Sequence, residues 1–142
     1  MRRRVRLPLE DAGQARETPP VAERYTDDVM ARFARSLEGS VVLKECDRFG
    51  WAAPVVDYGM RYRAVNIARM HRSDLDQILF DVLPREFSAR PEEALEIVTE
   101  LRAFWRFVQR EYEPAFAADC LALLEHSGTA EALRRKLLKP AP

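Results

Sequence analysis

Three features of the sequence predict an all-α fold, a compact bundle of six or seven helices around a long central helix at about residues 91–112. Apolar residues in Pro91–Tyr112 recur every three or four positions, the period of an amphipathic helix. Shorter stretches on either side repeat that period between prolines, glycines and capping residues. Glycine is scarce, 5 of 142 residues, which disfavours turn-rich sandwich and barrel folds.

Met1–Pro20 is rich in Arg, Pro and Glu and has no usable period. It reads as a flexible basic tail, leaving 21–142 as a single all-helical domain long enough to bury a core. The first helix is predicted from about Val21 to Glu38, with Thr18 as its cap, Val29, Phe33 and Leu37 inward, and Gly39 as its end. Ser40–Trp51 spaces Val42, Leu43, Cys46 and Phe49 as a helix, although Val41–Val42–Leu43 is β-prone enough to begin a short strand. Pro54 opens the next helix, with Val55, Tyr58, Tyr62 and Val65 on one side and Gly59 admitting a close neighbour. Asn66–Arg72 reads as a loop. Ser73 then caps a helix that buries Leu75, Ile78, Leu79 and Val82, and Pro84 stops it near Leu83.

In the central helix Pro91 suits the first helical position, Ser88 or Arg90 lies near the cap position with Ser88 the chemically better candidate, and Glu92 and Glu93 meet the positive end of the helix dipole. Leu95, Val98, Leu101, Trp105, Val108 and Tyr112 form the inward stripe, widened by Ala94, Ile97 and Phe104. Glu92, Glu96, Glu100, Arg102, Arg106 and Arg110 occupy the opposite, solvent-facing side. Phe107 falls away from the stripe, so one large aromatic is left for a partner. Beyond Pro114, Cys120, Leu121 and Leu124 belong to another helix, and Thr129 caps a last one containing Leu133 and Leu137.

Basic and acidic residues balance at 23 each, so no global field draws the chain to nucleic acid or an anionic membrane. Charge is nevertheless segregated: about +3 over Trp51–Arg72 and about −6 over Ser73–Glu100. Cys46 and Cys120 form no CxxC pattern and read as buried thiols of a cytoplasmic protein, with a single disulfide as the alternative. No apolar run approaches the length of a membrane span, and the basic start is not followed by the apolar core of a secretory signal.

The chemistry-bearing residues are dispersed. His71 and Asp74 stand three apart, a spacing that can hold a metal or move a proton only when a third group converges, and Asp81 is the nearest further carboxylate. Phosphate-binding, dinucleotide-binding and nucleophile-elbow motifs are missing, so no catalytic, cofactor-binding or metal-binding residue is assigned and no cofactor is expected. Aromatic and basic residues do mingle in Tyr58–Arg72. Stacking by Tyr58 and Tyr62, with Arg61, Arg63, Arg69 and Arg72 on phosphates and an arm of Arg2, Arg3, Arg4 and Arg6, would make a single-strand-binding surface. The simpler reading makes the tyrosines an inward stripe and pairs the arginines with the acidic segment that follows.

The run Asp74–Tyr112 resembles a segment of uncharacterised bacterial all-helical proteins, in a short helix ending Leu83–Pro84–Arg85 and a following helix with Leu101, Phe104 and Phe107 spaced by three. Some such proteins carry a SecA-like zinc-binding tail. The cysteine cluster of that tail is missing from this sequence, so the resemblance implies a bacterial helical domain and no activity. The leading functional expectation is a non-catalytic protein-interaction or accessory module, through a partner protein or self-association. Nucleic-acid binding through 58–72 and the arginine arm is the alternative. An enzyme or a ligand or metal binder using His71 with Asp74 or Asp81 comes third.

Overall fold

The computed structural model describes residues 19–46, 50–62 and 67–138. The expected tail lies outside them except for Pro19 and Pro20, which begin α1 (Pro19–Arg35). Tyr25, Val29 and Phe33 recur every four residues on α1 and are fully buried. The helix does not run on to Glu38. It breaks at Ser36, whose hydroxyl donates to the Phe33 carbonyl at 2.6 Å and accepts from the Gly39 N–H at 3.0 Å. Serine thereby caps α2 (Leu37–Cys46), one of the side-chain types that best satisfies a free N–H at a helix start. Gly39 accordingly lies inside α2 rather than ending α1. A β-carbon there would run into the Phe33 carbonyl oxygen, so the tight elbow between α1 and α2 requires glycine. The helical reading of Ser40–Trp51 holds as far as Cys46, and no strand forms among the described residues.

Helix α3 (Ala52–Tyr62) starts two residues before Pro54 and buries Ala52, Val55, Val56 and Met60 against α1. A 3₁₀ turn at Ile67–Arg69 follows, and its Ile67 N–H donates to the buried Tyr25 hydroxyl at 3.1 Å. The chain then runs through α4 (Arg72–Gln77), a π-helical turn (Ile78–Val82) and α5 (Leu83–Glu86) as one unbroken rod. Pro84 was expected to end this helix and does not. The wider π turn sends the Leu83 N–H to the Ile78 carbonyl, so Pro84 enters as an early residue of a fresh α-turn, where its missing N–H does no harm.

The central helix opens with a 3₁₀ turn at Pro91–Glu93 and continues as α6 (Ala94–Tyr112). Its cap is Arg90 rather than Ser88: Arg90 has extended backbone, and its N–H donates to Glu93 Oε1 at 2.7 Å. α6 packs against α2 and against α7 (Ala117–Glu125) and α8 (Thr129–Leu137), and more lightly against α3. Because neighbours cover it on several sides, its buried arc is wider than one stripe. Phe107, expected to be free for a partner, is only 1% exposed. It packs at 5.6 Å on Phe33 and edge-on at 5.8 Å on Tyr112, while Phe104 meets Phe33 edge-on at 5.2 Å. Leu95, expected inward, is 65% exposed because it shares the uncovered sector with Thr99, Arg102 and Arg106.

Left-handed backbone at Glu113 (φ 51°) ends α6. Thr129 is not the cap of α8. It is buried, its hydroxyl donates to the Leu123 carbonyl at 2.6 Å, and Gly128 takes the cap position. Counting the α4–π–α5 rod as one, the described residues form seven helical bodies, α6 among them, and their buried side chains join in one contiguous core. Cys120 lies in that core as a free thiol 3.5 Å from the Met70 carbonyl oxygen, and burial pushes its pKa up to about 12.

Two measurements check this packing. Gly39→Ala should destabilise the protein by about 2 kcal/mol or more in urea unfolding, because helix backbone must move to admit the methyl group. Thiol titration with a small aromatic disulfide should leave Cys120 unreacted in the native protein and expose it on unfolding.

Candidate functional site

The most consequential polar group is one expected to face water. Glu100 is 1% exposed, and its carboxylate reaches the start of α3. Gly50 N–H donates to Oε1 at 2.9 Å, and Trp51 and Ala52 N–H donate to Oε2 at 2.9 and 2.8 Å. These are the unsatisfied donors at the positive end of a helix, so a carboxylate is the natural acceptor. Burial pushes the Glu100 carboxyl above its ordinary range, with Glu96 adding to the rise, while the three N–H groups pull it down. The arrangement is a helix cap supplied by another helix. It carries no sign of catalysis, since every acceptor site is directed at backbone.

The expected site residues are spent in similar ways. His71 caps α4: its N–H donates to Asp74 Oδ2 at 3.0 Å, and its ring lies 3.8 Å from that of Phe116. Asp81 is directed to Arg85 at 3.2 Å. No group of three or more His, Cys, Asp or Glu able to hold a metal ion occurs among the described residues. Arg61 pairs at 3.0 Å with Asp57, one turn back on α3, not with the acidic segment that follows. It borders an open groove of about 460 Å³ with Pro54, Tyr58 and Phe87. Arg69 and Arg72 are exposed in the 3₁₀ turn and at the start of α4. Arg2, Arg3, Arg4, Arg6 and Arg63 lie outside the described residues, as does the side chain of Tyr62.

A different surface stands out. Leu37 and Val41, one turn apart on α2, are 76% and 47% exposed. Between them and α6 runs a depression of about 210 Å³, bordered also by Val42, Thr99 and Ala103. Arg102 and Arg106 line it from α6. At Leu37 it meets a second depression, of about 560 Å³, bordered by Arg32, Arg35 and Arg110. Arg110 is fixed by a bidentate pair with Glu38, at 2.7 and 2.8 Å, which lowers the Glu38 pKa and raises its own. Arg106 makes an exposed pair with Glu125 at 3.0 Å. Arg35 and Arg102 have no carboxylate partner among the described residues. The result is an exposed aliphatic centre ringed by guanidinium groups.

Reading the sequence by period missed this surface because it assigned Leu37 to the inward stripe of α1. The signal was present in Ser36-x-x-Gly39, a serine cap that restarts the helix and turns Leu37 outward. No helix among the described residues is long and apolar enough to cross a membrane. No family model, curated protein or solved structure matches the chain.

The Glu100 cap has a pH signature. Because its folded pKa is raised, its contribution to stability is full below the ordinary value of 4.5 and is lost as pH rises through the raised one. Glu38 and Glu131 have lowered values and act in the opposite sense, losing their contribution as pH falls below that range. Glu100→Ala should cost about 2–4 kcal/mol by leaving three N–H groups without an acceptor. Glu100→Gln should remove the decline of stability above pH 4.5 that comes from this residue, measured by unfolding across pH.

Proposed function

We propose that the protein is a non-catalytic interaction module that docks a partner protein through the α2–α6 face. The observation that carries this reading is that two exposed aliphatic side chains, Leu37 and Val41, lie one turn apart on α2 beside a groove. Apolar area kept in water forgoes about 25 cal/mol per Å², a gain that a partner covering it recovers. The chemistry-bearing groups support a module without catalysis, since Asp74 and Glu100 accept main-chain N–H groups at helix starts and Cys120 is buried in the core. The nucleic-acid reading draws less support. Arg61 is held by Asp57, one turn back on its own helix.

The test is affinity capture from bacterial lysate with nuclease present, comparing the native chain with a Leu37→Ser/Val41→Ser variant. Both positions are exposed, so the variant should keep its stability to within about 0.5 kcal/mol. The reading predicts a protein captured in stoichiometric amount by the native chain and lost by the variant. Leu138→Ser, which alters an exposed leucine at the end of α8, should keep it. Capture that the double variant leaves unchanged, or that disappears with nuclease alone, contradicts the reading.

A further inference from the structure

The charge around the aliphatic centre identifies the class of partner, given the reading of the α2–α6 face as a docking surface. Arg32 and Arg35 from the last turns of α1, and Arg102, Arg106 and Arg110 from α6, surround Leu37 and Val41. Their opposing carboxylates are few. Glu38 is committed to Arg110, and Glu111 lies 4.0 Å from that same guanidinium. The Arg106–Glu125 pair is exposed, so exchanging Glu125 for a partner's carboxylate costs little. Arg32 contacts only a neutral acceptor, the Tyr112 hydroxyl at 3.5 Å, and Arg35 and Arg102 face no carboxylate among the described residues. Arg35 and Arg102 are therefore guanidinium forks without a carboxylate among the described residues, and Arg106 can exchange its exposed one, beside an apolar floor.

Three occupants can be compared on that basis. A second copy docking by the same face would set arginine against arginine, because a two-fold contact places each patch on itself. Single-stranded nucleic acid would meet the arginines, but the exposed centre offers aliphatic side chains where bases need aromatic platforms. An amphipathic helix with carboxylates flanking its apolar stripe satisfies both halves of the surface. Its apolar side chains enter the depression beside Leu37, Val41 and Ala103, and its Asp or Glu residues take bidentate bonds from the arginines. We propose that the α2–α6 face is a receptor for an acidic amphipathic helix, with Arg35, Arg102 and Arg106 as the groups that select acidic flanks. An anionic lipid surface shares the charge preference. It accommodates a broad apolar face lying flat, whereas here two aliphatic side chains border a concave groove.

The test uses two synthetic helices of about five turns with an identical leucine stripe, one flanked by glutamate and one by lysine. Binding to the full chain is read by fluorescence anisotropy, with vesicles of phosphatidylcholine and phosphatidylserine as a parallel arm. The acidic helix should bind, the basic helix should not, and raising salt from about 0.05 to 0.3 M should weaken the complex. Arg35→Glu/Arg102→Glu should lower affinity about tenfold or more with unchanged thermal unfolding, and Leu37→Ser should lower it as well. The proposal is overturned if neither peptide binds, if both bind alike, if charge reversal is without effect, or if only vesicles bind. Sensitivity to Leu37→Ser without sensitivity to charge reversal removes the acidic partner and leaves the docking face standing. Insensitivity to both removes the docking face too.

Discussion

One carboxylate holds two distant parts of this chain together. Glu100, in the middle of α6, accepts the N–H groups of Gly50, Trp51 and Ala52 and so fixes the start of α3 against the central helix. Near the other end of α6, Arg110 clamps Glu38 at the start of α2. The two clamps bracket α2 and lay it antiparallel along α6. Val42 turns into the core, Leu37 and Val41 face out, and the groove opens between the helices. The groove thus lies beside an interaction that is itself buried. Charge-assisted bonds to three helix N–H groups are what make a buried carboxylate tolerable here, because each offsets part of its desolvation.

Much of the fold was legible in the sequence because helices announce themselves by period and punctuation. Pro91, the acidic first turn and the apolar spacing of α6 all point to one element, and Ser36, Pro54 and Gly128 each mark a boundary or its neighbourhood. What the period does not reveal is which sector of a helix its neighbours cover. A single stripe suits a helix lying on a surface. α6 has α2 on one side and α7 and α8 on others, so Phe107 and Glu100 go inside while Leu95 stays out. Glu100 was illegible for a further reason: its partners are backbone groups fifty residues away, which leave no mark on side-chain pattern. Pro84 misled because a π turn changes which carbonyl each N–H must reach.

The functional reading follows from the same distribution of roles. Several residues on which chemistry usually draws are occupied: Asp74 at a cap, Cys120 in the core with its thiol pKa pushed to about 12, Arg61 on Asp57. Leu37, Val41, Arg35 and Arg102 gather on the α2–α6 face. On the proposed reading, apolar contact would supply affinity and guanidinium forks selection, the division of labour common to helix-in-groove recognition.

Amide hydrogen exchange at Gly50, Trp51 and Ala52 tests the central claim most directly. If the Glu100 carboxylate holds these N–H groups, Trp51 and Ala52 should exchange as slowly as core amides of α6, although first-turn amides lack a carbonyl partner within their own helix. Exchange at rates typical of an open helix end would contradict the account and detach the α2 wall from its anchor.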